Sequence, residues 1–315
     1  MGRGRHPALG LRPAPEGTGR ARGRDPRGRA RAHGVTPLVA VVVLIAAVTH
    51  ASWNALAHHI RDQLVSFTLI SGGGALIGLA LVPFAPLPAA GAWPYLLASA
   101  ALHVAYYALL MKSFALGDFG QMYPIARGTA PLVVTVLAAV FVGEVPDRWQ
   151  LTGVAVACAG LTGLALWGVR ARGAHRPALL AALATGLSIA LYTVVDGVGV
   201  RASGTTLGYI AWLMLLEGLV VPAYALAVRR RALLPALRPH AARGLLGAGL
   251  SVAAYALVLW AQTRAPLAPV AALRESSIIV GAAIGALFFK ERFGGPRVAA
   301  ASLMVVGIGL MLHTA

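Results

Sequence analysis

The sequence predicts an all-α integral membrane protein of ten transmembrane helices, arranged as two inverted five-helix repeats. Three observations predict it. Apolar runs fill the chain from about Pro37 to Leu312, and ~20 apolar residues at 1.5 Å rise cover the ~30 Å hydrocarbon layer of a bilayer. Of 315 residues, 58% are hydrophobic and only 12% charged, with a mean hydropathy of +0.75, where soluble domains carry ~25% charge. The second half also repeats landmarks of the first at a constant offset. Long runs without period-2 alternation argue for helices over a barrel, and a helix satisfies its own backbone in lipid.

In order along the chain, helices are expected at roughly 37–57, 65–85, 93–116, 121–142, 149–168, 178–200, 207–228, 242–263, 268–289 and 296–313. Breakers punctuate them. Pro86 and Pro88 follow the second, and Pro146 the fourth. Gly173 and Pro177 separate the fifth from the sixth, and Gly204 the sixth from the seventh. Pro235 and Pro239, then Pro266, flank the eighth, and Gly294 with Gly295 precede the tenth. The connections leave no room for a soluble domain. The expected units are 35–169 and 177–315.

Residues 1–34 form an Arg-, Gly- and Pro-rich tail without apolar period, expected to be disordered. Three readings of it are open: a start codon placed too early, with Val35 just before the first helix; a lipid-surface arm; or an RNA-binding arm. The net charge is +17, of which the tail supplies nine Arg against Glu16 and Asp25. The rest lies mostly in short loops and forms no basic face, so nucleic acid is not an expected partner. The single cysteine, Cys158, sits in an apolar run and reads as a packing residue.

The repeat is carried by scarce residues. Tyr123-Pro-Ile-Ala-Arg127 leads to Phe141-Val-Gly-Glu144; Val270-Ala-Ala-Leu-Arg274 leads to Phe288-Phe-Lys-Glu291. One 147-residue offset relates Arg127 to Arg274, Glu144 to Glu291 and Gly160 to Gly307, and Tyr107 matches Tyr255 one residue out of step. An odd number of helices per copy makes the second copy enter from the opposite side. Inverted repeats around a central site are a mark of secondary transporters. Small residues four apart, Gly74 with Gly78, Gly153 with Ala157 and Gly281 with Gly285, are spaced for close helix packing.

The stretch Tyr123 to Glu144, followed by Arg148-Trp-Gln-Leu-Thr-Gly153 and Gly160, resembles the end of an EamA domain. So does Leu273-Arg274 to Lys290-Glu291, followed by Gly307-Ile-Gly309. Two such domains in tandem resemble the ten-helix drug/metabolite transporter superfamily, over residues 37–313. The resemblance implies export or exchange of small organic metabolites by alternating access, in a bacterial plasma membrane. The second copy has Lys290 where the first has Gly143.

The partners expected are a small-molecule substrate, the lipid bilayer and protons, with the chain a monomer or homodimer and no cofactor. The only lysines, Lys112 and Lys290, lie in no phosphate-binding loop, so the chain is not read as an ATPase. Nor does it carry a nucleophile elbow or a paired-carboxylate set. His50, His58 and His59 make a poor metal site beside Arg61. A membrane-embedded enzyme holding lipid headgroups with Arg229-Arg-Arg231, and a non-transporting sensor or assembly partner, are the alternatives.

Ionisable groups inside a span are expensive in lipid and are expected to face a polar interior. Arg127 and Arg274 are the leading pair, each ~9 Å into its run and able to hold an anionic group or a gate salt bridge. Glu275 neighbours Arg274 and, on a continuous helix, would point ~100° away, so the two are not expected to neutralise each other. Glu217, mid-span without a local cation, and Glu275 are the proton-coupling candidates. Three stripes are each expected to share a helix face and line a pocket: His50-Trp53-Asn54, His103-Tyr106-Tyr107 and Ser188-Tyr192-Asp196. The resemblance implies cytoplasmic termini. The loop charges oppose this, since thirteen Lys and Arg fall in loops on the other side against three on the same side.

Overall fold

The structure is a computed structural model that describes residues 1–2, 35–58, 60, 62–116, 119–172, 176–280 and 294–313. Every regular element among the described residues is helical. Seven helical stretches are long and apolar enough to cross a membrane, the last being the 57-residue stretch Thr206–Gln262, and Val298–Met311 is a shorter apolar helix. The tail 3–34, His59, Arg61 and the segment 281–293, with Gly281, Gly285, Lys290 and Glu291, lie outside the described residues.

The first five runs appear as α1 (Pro37–His58), α2 (Gln63–Leu81), α3 (Trp93–Leu116), α4 (Phe119–Leu137) and α5 (Arg148–Arg172). Each lies within a few residues of its expected bounds. On α1, Val39, Ala40, Val43, Ala46 and Ala47 are buried, while Leu38, Val41, Leu44, Ile45 and Val48 point outward. That division is what a helix needs to meet protein on one side and lipid on the other. A π-turn, Ala138–Val142, extends α4. It ends at Gly143, whose φ of 77° is left-handed and open to glycine at little cost.

Two later runs differ from expectation. The sixth is α6 (Arg176–Ser203), but the seventh is broken into α7 (Thr206–Gly218) and α8 (Val220–Arg229). Gly218 lies so close to α2 that a Cβ there would sit 2.5 Å from the Ser71 carbonyl oxygen. A short helix, α9 (Leu233–Leu237), leads to α10 (Ala241–Gln262). The ninth run starts as α11 (Leu267–Arg274), which stops at Arg274, and helix resumes only at residue 277. The tenth is α12 (Gly295–Met311). Both breaks fall beside buried charges, Glu217 and the Arg274-Glu275 pair.

The packing carries an internal symmetry. α1 packs chiefly on α10 as α6 packs on α3, while α2 meets its counterpart α7 and α5 meets its counterpart α12. The last two crossings are antiparallel. Gly153 faces Gly307 while Gly160 faces Ala300; Gly78 faces Ala211 while Gly218 faces Ser71. The 147-residue offset converts the first contact of the α5–α12 crossing into the second. Val35, Ala265 and Met311 share one apolar cluster, and the His313 ring meets Trp149 at the start of α5 with centroids 4.7 Å apart, so both ends of the helical unit lie on one face. Cys158 is buried in that same cluster.

The α5–α12 crossing leaves no room for a side chain at Gly153. A Cβ at Gly153 would sit 2.5 Å from the Gly307 carbonyl oxygen and 2.6 Å from Met311 Cγ. Gly153→Val is expected to cost about 1–3 kcal/mol or more through overpacking, read as a lower unfolding temperature in detergent. Gly163→Ala on the same helix, where nothing lies within 4 Å, is expected to leave it unchanged.

Candidate functional site

The ionisable residues singled out in the sequence are buried in protein rather than turned to lipid. Arg127 is 2% exposed, Arg274 4% and Glu275 1%. Arg127 Nε donates to Glu275 Oε2 at 2.6 Å and its Nη2 to Ser277 Oγ at 3.4 Å. This joins the fourth run to the ninth, its repeat counterpart. The expected divergence of Arg274 and Glu275 is corrected. Because α11 ends at Arg274 and residues 275–276 form a turn closed by i→i−3 bonds, the Glu275 carboxylate reaches both arginines. Its Oε1 lies 3.6 Å from Arg274 Nε. His50 is within electrostatic reach of both guanidiniums.

The α1 stripe is partly realised. Trp53 is buried and donates its indole N–H to His50 Nδ1 at 3.2 Å. An indole only donates, so this His50 nitrogen carries no proton and the ring is neutral. Asn54 instead turns its amide to the His50 carbonyl of its own helix at 2.8 Å.

A second cluster joins α3, α6, α7 and α10. His103 Nδ1 lies 3.3 Å from Glu217 Oε2 and 3.0 Å from the Ser99 carbonyl oxygen. A carbonyl only accepts, so Nδ1 carries a hydrogen. Glu217, expected without a local cation, therefore faces an imidazole from another helix. Asp196 is fully buried and accepts from the Tyr209 hydroxyl at 2.9 Å and from Tyr255. The His103 ring stacks on Tyr192 with centroids 4.1 Å apart. Tyr192 also meets Tyr106 and is within electrostatic reach of Arg274, Arg127, Glu275 and Asp196. It thereby links the two clusters.

Tyr107 packs edge-on to Phe67 in an apolar cluster and on its other side meets Tyr106, within electrostatic reach of Glu217 and Tyr192. Ser188 Oγ bonds the Thr185 carbonyl of its own helix. Among the described residues no cluster of His, Cys, Asp and Glu fits a metal. Sequence reading missed Ser99, Tyr209 and Ser277. Tyr255 carried a signal, its match to Tyr107, but was not placed at the site.

It also missed a network at the face that holds both ends. Arg201, at the end of α6, donates to Glu144 Oε1 at 2.5 Å, to the Gln262 carbonyl at 2.6 Å and to the Ala265 carbonyl at 2.9 Å. Glu144 Oε2 accepts the Leu267 N–H at 2.7 Å. One guanidinium thus ties α6, the turn after α4, and the α10–α11 connection. Gly143, at a φ of 77°, makes the turn that aims Glu144; its counterpart Lys290 lies outside the described residues. The opposite face has a simpler contact, Arg229 with Asp62 at 2.6 Å. Partial burial pushes the Asp62 carboxyl up, but the Arg229 guanidinium and the Val65 N–H outweigh it and hold it below the usual carboxylate range.

The sequence matches the family model described as the EamA-like transporter family twice, over residues 37–166 and 176–313. A solved crystal structure shares the fold with a TM-score of 0.65 at 17% identity, covering 87% of this chain and 96% of the other. No curated protein matches it in sequence.

Proposed function

The chain belongs to the EamA-like transporter family, and from that premise we propose that it is a secondary transporter, exporting or exchanging a small organic metabolite by alternating access. Ten spans arranged as two inverted five-helix repeats are part of this reading. The antiparallel α5–α12 and α2–α7 crossings support the inversion, and the shared face of both ends supports an even number of crossings. A bacterial plasma membrane is the setting the reading carries with it.

The observation that carries the proposal is the buried Arg127–Glu275 ion pair, made between repeat-related runs exactly where one of them is interrupted. Charges inside a span mark solute and ion paths, and interrupted helices bring backbone and side-chain polarity to the middle of a transporter. The Arg201–Glu144 network then acts as the closed gate of one face, and Arg229–Asp62 as a lesser contact of the other. The lipid-enzyme alternative loses support, because Arg229, one of its three proposed headgroup ligands, is engaged by Asp62.

The test is reconstitution. Purified chain in liposomes is expected to exchange at least one solute from a library of amphipathic metabolites, saturably and above the leak of empty vesicles. Tyr192→Ala, which removes the ring joining the two clusters, is expected to lower that exchange about 10-fold or more through lost stacking and packing. A folded protein that exchanges no solute in either direction would overturn the reading.

A further inference from the structure

Arg274 is the buried charge that the ion-pair arrangement leaves least matched. Its Nε and Nη2 have no hydrogen-bond acceptor. Its nearest described carboxylate oxygen, Glu275 Oε1, stands 3.6 Å from Nε, while the other Glu275 oxygen is taken by Arg127 at 2.6 Å. Arg127, Arg274 and Glu275 together carry a net charge of +1. His50 adds nothing, since its neutral ring accepts from Trp53. Asp196 is spent on two tyrosine hydroxyls, and Glu217 faces His103. A guanidinium withdrawn from water with bare N–H groups is strongly unfavourable unless an anion meets it.

We infer that Arg274 is the anion-holding group of the site and that its ligand is an organic monocarboxylate with an apolar, ring-like body. Its use in transport rests on the transporter reading; its chemistry does not. Nε and Nη2 are the side-on fork of the guanidinium, two parallel donors matched to the two oxygens of one carboxylate. A single negative charge offsets the Arg274 guanidinium, whose Nε and Nη2 donors lack an acceptor, and a second finds no further donor pair on that guanidinium. Tyr192, in electrostatic reach of Arg274 and packed against the rings of His103, Tyr106 and Tyr255, offers the aromatic wall for the body.

The probes are benzoate, its neutral isostere benzamide, and the dianion phthalate. Benzoate is expected to raise the unfolding temperature of the purified full chain in a dose-dependent way. Benzamide and phthalate are expected to need at least about 30-fold higher concentration, the loss that follows a missing buried charge pair. Arg274→Gln is expected to lose the benzoate response by the same factor, yet to be no less stable than wild type without ligand, because an unmatched charge is gone. Arg274→Lys, keeping charge without the fork, is expected to respond between the two.

Equal responses to benzoate and benzamide, an undiminished benzoate response in Arg274→Gln, or a ligand-free Arg274→Gln that is clearly less stable would each overturn the assignment. Phthalate matching benzoate would overturn the single-charge match. Benzoate exchange above the leak of empty liposomes separates the two proposals. Binding without exchange counts against transport and leaves Arg274 assigned. Exchange of neutral solutes without benzoate binding counts against Arg274 alone.

Discussion

Glu275→Gln is expected to destabilise the protein more than any other single charge substitution in the core, by about 3–5 kcal/mol. The glutamine keeps the shape and removes the charge. Arg127, 2% exposed, then loses its 2.6 Å ion-pair partner, and Arg274, 4% exposed, loses the nearest described carboxylate. The other two substitutions rank below it for stated reasons. Arg127→Gln still leaves Glu275 beside Arg274 at 3.6 Å, so its cost is expected to fall to about 1–3 kcal/mol, the range of a charged hydrogen bond. Arg274→Gln removes the unmatched charge and is expected to cost nothing. Unfolding in detergent at fixed lipid content reads the order. Arg274→Gln emerging as the most damaging of the three would show that Arg274 is the structural partner of Glu275, contrary to the arrangement described.

Arg201→Ala is expected to have the second large effect, at the face that holds both ends. It breaks three charge-assisted hydrogen bonds at once and frees Glu144, whose other oxygen holds the Leu267 N–H. Both side chains are partly exposed, so solvent screening reduces the sum. A bias of about 1–3 kcal/mol, or about 5- to 150-fold in the balance of closed and open forms, is the scale expected. Amide exchange of the 262–268 segment is expected to accelerate by that factor, with Arg229→Ala leaving it unchanged. Unaltered protection in Arg201→Ala would remove the network from any role as a gate.

Much of the fold was legible because lipid leaves few choices. The first helix reads 37–57 from the sequence and is Pro37–His58 in the structure, since run length and breakers decide both. Arg127, Arg274 and Glu275 stood out because a charge in an apolar run is rare. What escaped depends on contacts far apart in sequence. Whether Glu275 meets Arg127 turns on α11 ending at Arg274, and no periodicity announces that stop. Glu217 looked unpartnered because His103 comes from another helix. Arg201 read as a loop charge, although it bridges to residues 57 to 64 positions away. Asn54 and Ser188 had the right spacing and the wrong orientation, since a short polar side chain can satisfy itself on its own helix.

The central claim is alternating access through the buried Arg127, Arg274 and Glu275 site, so that Ser276, two residues after Arg274 and itself buried, is expected to open to one side of the membrane at a time. The direct measurement is labelling of Ser276→Cys, in a Cys158→Ser background, by a membrane-impermeant thiol reagent in vesicles of each orientation. With the Arg201 network intact, labelling is expected from the opposite face only. With Arg201→Ala, it is expected to appear at the Arg201 face and to fall at the other. A thiol reached from neither side in both proteins, or from both sides equally with the network intact, would contradict the account.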